Sequence, residues 1–187
     1  MRHCSKTFFD FLVNNLHIPV DEVDFQGRNP FMLAVLSNPN QQNISESMQK
    51  LLDMNVRFDL SDSKGRTPFL IYYENRNIVM ANKMLNQGAN IKQMDEGGLF
   101  ALKYALIRRE NEEISRLVGL GADINQIDQK GRNLLHHAVN MSSATADATF
   151  ETEQLLIDLG VNINLRDNKM RVPLHYAFVK IKDWFSS

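Results

Sequence analysis

The chain has 187 residues, 43% of them apolar, with 21 basic and 22 acidic side chains and a formal net charge of −1. That balance excludes a global positive field for nucleic acid or an anionic membrane, and no apolar run approaches the roughly 18 residues a membrane helix needs. One cysteine, Cys4, excludes an internal disulfide framework and fits a reducing compartment, which points to the cytosol or nucleus.

Residues 1–23 read as the back half of a structural unit, because Phe8, Phe9, Leu12, Val13 and Leu16 have helical spacing. Lys6 and Asp10 interrupt the start and no small-residue cleavage site follows, so it makes a poor signal peptide. From Asp24 onward one phrase recurs: an Asp, a Gly three residues later, then a polar helix start and an apolar turn of helix. It stands at Asp24-Phe25-Gln26-Gly27-Arg28-Asn29-Pro30 and at Asp62-Ser63-Lys64-Gly65-Arg66-Thr67-Pro68. A weaker copy is Asp95-Glu96-Gly97-Gly98-Leu99-Phe100-Ala101, and a full one is Asp128-Gln129-Lys130-Gly131-Arg132-Asn133-Leu134. The last, Asp167-Asn168-Lys169-Met170-Arg171-Val172-Pro173, has Met where the others have Gly. The steps between these aspartates are 38, 33, 33 and 39 residues.

Within the first period, Asn29-Pro30 supplies an N-cap and a proline at the first helical position, where its missing N–H costs nothing. A helix is predicted over 31–37, a polar loop over 38–43 and a second helix over 44–54, ended by Asn55 in place of Gly. In the second period Thr67-Pro68 starts a helix, and Met80, Met84 and Leu85 belong to another that Gly88 ends. The third has lost its capping residue to Phe100 and its proline to Ala101, a loss of about 1 kcal/mol; its second helix is predicted over 112–120. The fourth carries a small, polar loop over 142–148, then a helix over 150–159 ended by Gly160. The fifth has a first helix from 173 to about 180 and lacks the second. Met170 with φ > 0 would cost roughly 1 kcal/mol, so that turn either changes shape or is strained.

A 33-residue period with a Thr-Pro-Leu-His-x-Ala core resembles the ankyrin repeats. Thr67-Pro68, Leu135-His136-His137-Ala138 and Pro173-Leu174-His175-Tyr176-Ala177 carry the likeness, which covers nearly the whole chain. The resemblance implies an all-α fold, an ankyrin-repeat solenoid of stacked helix-turn-helix units with β-turn or hairpin fingers. Residues 1–187 would be one domain: a half repeat at 1–23, full repeats at 24–61, 62–94, 95–127 and 128–166, and a truncated repeat at 167–187. Helices this short are unstable alone, so each unit must lean on its neighbours. The family expects a small Ala where Tyr72-Tyr73 stand, so a ring there must push the repeats apart or turn outward. It also makes His136 and His175 structural, with rings that link neighbouring turns.

Arg28, Arg66, Arg132 and Arg171 share one slot of the phrase, and Lys64, Lys130 and Lys169 share another. Stacking would set them in a basic row along the fingers and the adjoining concave face, where they can meet an acidic peptide. The bland alternative is that Lys-Gly-Arg-Thr-Pro is common turn chemistry in this family. By the same resemblance Glu74, Arg108 and Asn140 face the concave side, and they differ from repeat to repeat, which suits them to specificity. Leu117 with Asp123-Ile124-Asn125 resembles the context hydroxylated in some ankyrin proteins, so Asn125 is a candidate modification site beside its plainer role as a turn residue. Zinc needs four suitable ligands, and Cys4 with His3 and His17 is too small a set; no metal or cofactor is expected. Glu110, Glu112 and Glu113 open a helix, where acids suit the dipole, and no nucleophile stands with a base, so no catalytic residue is expected.

These observations point to a non-catalytic protein–protein interaction module or scaffold. It would bind a protein or peptide, an acidic one at the basic row, on its concave and finger surface, without nucleic acid or membrane. The alternative is a regulatory or targeting segment of a larger enzyme, with the remainder of a longer chain beyond the shortened fifth repeat. Residues 131–143 resemble ankyrin segments attached to poly(ADP-ribose) polymerase-like enzymes.

Overall fold

A computed structural model of the chain describes residues 21–37, 46–53, 57–141 and 146–185. The half repeat up to residue 20, the Cys4–His3–His17 cluster, the loop at 38–43 and Asn55 lie outside them. Among the described residues the regular elements are helices: α1 (Pro30–Ser37), α2 (Glu46–Asp53), α3 (Pro68–Glu74), α4 (Ile78–Asn86), α5 (Ala101–Ile107), α6 (Asn111–Gly119), α7 (Leu134–Met141), α8 (Ala146–Asp158) and α9 (Pro173–Phe185). They gather into two compact units, Met1–Gly97 and Gly98–Ser187. In the first unit α1 pairs with α2, α3 pairs with α4, and α1 packs on α3. In the second, α5 pairs with α6 and α7 with α8, while α7 packs on both α5 and α9. The fold is the all-α ankyrin-repeat solenoid, with tight turns as its fingers.

The helix starts follow from local chemistry. Thr67 is extended (φ −76°, ψ 164°), its hydroxyl accepts from the Leu70 N–H, and Pro68 follows at the first helical position. Asn29 Oδ1 accepts from the Met32 N–H at 2.9 Å. Phe100 caps α5 without a side-chain hydrogen bond, as its apolar side chain requires, and it is buried. The second helices end where Gly88, Gly121 and Gly160 take positive φ, and the N–H three residues beyond each helix reaches back to it. The Ala122 N–H to Leu117 carbonyl bond, 3.0 Å, is one such closure.

Two helix boundaries differ from the sequence reading. α8 starts at Ala146, inside the segment expected to be loop, because Ala146 and Ala148 are strong helix formers. α9 continues to Phe185 rather than stopping near 180, since no Gly, Pro or polar turn interrupts it. On α9, Leu174 and Phe178 are 62% and 64% exposed.

Of the two outcomes expected at Tyr72 and Tyr73, one is excluded. Neither ring turns outward; they are 1% and 0% exposed. Tyr72 lies against Phe31 with ring centroids 5.0 Å apart, and its hydroxyl donates to the Phe31 carbonyl at 3.0 Å. Tyr73 lies 5.9 Å from Phe69. The Tyr72 ring can stay inside because its hydroxyl has a hydrogen-bond partner in the core, so its burial leaves no unsatisfied group.

The turn glycine is required twice over. Gly131 has φ +72°, and a Cβ there would stand 2.5 Å from Asn168 Oδ1 of the next finger. Met170 occupies the same slot at φ 63° and keeps the same closing bond, Met170 N–H to the Asp167 carbonyl at 2.8 Å. The turn therefore keeps its shape and carries the strain. In urea unfolding, Met170→Gly should gain about 1 kcal/mol by relieving that strain. Tyr72→Ala, the residue the family expects, should lose about 3–5 kcal/mol through the cavity it leaves.

Candidate interaction surface at the turns

Each Arg-bearing finger is built on its aspartate. In the second, Asp62 Oδ1 accepts from the backbone N–H groups of Lys64 and Arg66, both at 2.9 Å. Its Oδ2 takes Arg66 Nε and Nη2 at 3.0 and 2.7 Å. The same bonds recur at Asp24 with Gln26 and Arg28, at Asp128 with Lys130 and Arg132, and at Asp167 with Lys169 and Arg171. With an ionised carboxylate accepting throughout, these bonds are charge-assisted and of the strong class. Successive fingers are also tied to each other. The Ser63 N–H donates to the Gln26 carbonyl at 2.7 Å and the Glu96 N–H to the Lys64 carbonyl at 2.9 Å in the first unit; in the second, the Asn168 N–H donates to the Lys130 carbonyl at 2.9 Å.

This geometry separates the two basic slots. Arg28, Arg66, Arg132 and Arg171 are each folded onto their own aspartate, so their charge is largely compensated within the turn. Arg66 also reaches Glu74 at 2.7 Å, and Arg171 lies over the Tyr176 ring at 4.5 Å. The side chains of Lys64, Lys130 and Lys169 are exposed, and their ammonium groups have no ion-pair partner among the described residues. Arg108 sits over Tyr104, 5.5 Å from the ring centroid, and Asn140 is exposed on α7. Asn125 is exposed, yet its amide is engaged: Nδ2 donates to the Gly160 carbonyl at 3.2 Å and Oδ1 accepts from the Asn162 N–H at 2.6 Å.

His136 and His137 are buried and hydrogen-bonded. His136 Nε2 lies 3.0 Å from the Arg171 carbonyl of the next turn, and burial depresses its pKa. His137 Nε2 lies 2.9 Å from Asp128 Oδ2. The His136 slot is filled in the third period by Lys103, which is buried, donates to the Gly98 carbonyl at 3.1 Å and stands 3.7 Å from Asp128 Oδ2. Asp128 is thus faced by Lys103, Arg132 and His137. Burial pushes its pKa up, but the hydrogen bonds from Arg132 and the Lys130 N–H outweigh that and hold it at about 2. Among the described residues no group of three or more His, Cys, Asp and Glu side chains is placed to hold a metal ion, and no helix is long and apolar enough to cross a membrane. Lys103 and Phe25 stand out only when the periods are aligned slot by slot: Lys103 replaces His, and Phe25 replaces a polar residue.

The buried pair gives a pH signature. Burial, and then Lys103, depress His137 from 6.5 to about 4. As pH falls below 6.5 the unfolded chain takes up a proton that the folded chain refuses until about pH 4, so stability drops across that window. The loss expected between pH 7 and pH 4.5 is about 2–3 kcal/mol. The Asp128 contribution disappears lower, as pH falls from 3.8 through about 2. Urea midpoints at pH 7 and 4.5 should therefore converge in His137→Gln, while the loss below pH 4 persists.

No family model matches the chain. Over 155 residues, 81% of this chain, it is 27% identical to mouse Rabankyrin-5. It is 28% identical over 129 residues, 69% of this chain, to the ankyrin repeat protein FPV244 of fowlpox virus. A shorter match, 38% identity over 84 residues and 45% of this chain, is to an ankyrin repeat protein of Rickettsia bellii. The chain spans 12%, 18% and 11% of the length of these three relatives. Among solved structures, the ankyrin repeat protein EF0377 superposes with a TM-score of 0.73 at 23% identity, covering 90% of this chain and 83% of that one. A chain in the complex of the predatory endopeptidase Bd0816 from Bdellovibrio bacteriovorus with immunity protein Bd3460 does so with a TM-score of 0.73 at 19% identity, covering 94% and 86%. The relatives indicate a protein-interaction module, of a kind generally without catalysis. Its period, its turn chemistry, its helix pairing and these relatives together support an ankyrin repeat family for the chain.

Proposed function

We propose that the chain is a non-catalytic scaffold whose finger tips dock an acidic segment of a partner protein in the cytosol or nucleus. The observation that carries this reading is the division of labour between the two basic slots. The arginines are consumed in closing the turns, whereas Lys64, Lys130 and Lys169 are exposed and have no ion-pair partner among the described residues. The carbonyls of Lys64 and Lys130 are bonded to the next finger at 2.9 Å each, so these charges project from an ordered backbone and less freedom is lost on binding. Glu74, Arg108 and Asn140 would adjust specificity beside them. The arginines keep a part in this surface, but reversing their charge would also break the turns.

A second reading is that the scaffold is a regulatory or targeting segment of a larger protein, an enzyme of the poly(ADP-ribose) polymerase-like kind among them. The small fraction of each relative that the chain spans, 12% and 18% for the first two, supports it. A reading frame that continues into no catalytic signature would count against the enzyme. Asn125 is proposed as a hydroxylation site, and peptide mapping of native material that shows no added oxygen there would dismiss it.

The charge reading is tested by fluorescence anisotropy with a labelled peptide rich in Asp and Glu. Binding should weaken as salt rises from 50 to 200 mM, because exposed charges are screened over about a Debye length, and the Lys130→Glu/Lys169→Glu double variant should bind at least tenfold more weakly. Equal binding by that variant would remove the proposal.

A further inference from the structure

Phe25, at the tip of the first finger, is 93% exposed. The same slot holds Ser63, Glu96, Gln129 and Asn168 in the other fingers, so the turn has no need of an apolar side chain there. Exposed single apolar residues are ordinary, but a whole aromatic ring in water, in a slot that is otherwise polar, gives the folded chain nothing. The finger beneath it is firmly built. Asp24 Oδ1 accepts from the Gln26 and Arg28 N–H groups at 2.8 and 3.0 Å, and Arg28 Nη2 meets Oδ2 at 2.6 Å. The Gln26 carbonyl is tied to Ser63 of the second finger at 2.7 Å. That bond sets the Phe25-Gln26 tip beside Ser63-Lys64, and Lys64 is exposed, its ammonium without an ion-pair partner among the described residues. Val23, two residues before Phe25, adds a further 48% exposed apolar side chain.

An aromatic anchor on an ordered loop beside a cation has the composition of an interface hot spot. We propose that Phe25 is the principal anchor of this surface and inserts into an apolar pocket of a partner protein that sets a carboxylate against Lys64. The inference rests on the protein-docking reading above and names its central contact. A protein is favoured over an anionic bilayer because Glu22, three residues before Phe25, is also exposed, leaving this stretch without the cluster of cations that anionic lipid requires.

The test is selection from a random dodecapeptide phage library on the purified chain, followed by anisotropy with the enriched peptides as labelled probes. Enriched sequences should carry Trp, Phe, Leu or Ile next to Asp or Glu. Phe25→Ser, which installs the residue of the neighbouring finger, should weaken binding at least tenfold with unchanged circular dichroism and thermal midpoint; Lys64→Glu should weaken it severalfold. Binding by Phe25→Ser within twofold of wild type would overturn the anchor, as would the absence of any enriched peptide. If Phe25→Ser binds normally while Lys130→Glu/Lys169→Glu does not, the anchor falls and the acidic docking surface stands. Sedimentation of the chain with phosphatidylserine vesicles, lost in Phe25→Ser, would overturn the protein pocket in favour of a membrane.

Discussion

The carboxylate of the turn aspartate is the interaction on which the rest of the structure depends. One oxygen holds two backbone N–H groups and the other holds the guanidinium four residues on, as at Asp62. This closes the turn and satisfies two of its backbone N–H groups. Removing one partner of such a pair, when it is buried, costs about 3–5 kcal/mol, because the remaining charge is left unpaired. Asp62 and Asp128 are both buried. The Gly at the fourth position follows from the same turn: it supplies the positive φ and leaves room for the next finger to be hydrogen-bonded alongside.

The core tolerates departures from the repeat pattern where chemistry can be satisfied inside it. Tyr72 replaces a small residue and finds the Phe31 carbonyl for its hydroxyl. Lys103 replaces a histidine and, although buried, finds the Gly98 carbonyl and the Asp128 carboxylate. A buried lysine would otherwise be driven towards neutrality, so the acidic turn residue of the next period is what allows it. In turn, Lys103 helps to keep His137 neutral, and the fourth period depends on its neighbour electrostatically as well as by packing.

Function follows from what the turns leave over. Closing the fingers consumes the arginines and the aspartates, and the groups left exposed around the tips include Lys64, Lys130 and Lys169, the acids Glu22 and Glu96, and the apolar Val23 and Phe25. Within the first unit the proposed surface joins Phe25 and Val23 with Lys64 on a hydrogen-bonded backbone. Its worth is in presentation: a backbone already held by hydrogen bonds loses little entropy when a partner settles on it.

The sequence by itself determined the period, the turns and the helix starts, because these rest on contacts spanning two to five residues. An Asp, a Gly three positions later and a Thr-Pro or Asn-Pro carry their geometry with them wherever the chain goes. The recurring arginines were legible as a slot. That they are paired with aspartate instead of free, and that the lysines are not, emerged only when side-chain directions were in hand. The tertiary structure alone decided that Tyr72 lies inside, through a contact 41 residues away in the chain, and that Asn125 links two periods through Asn162. It also decided that the turn at Met170 keeps its shape under strain. In each case the outcome depends on whether a distant partner can satisfy a polar group or fill a volume, and no local pattern records where that partner will be.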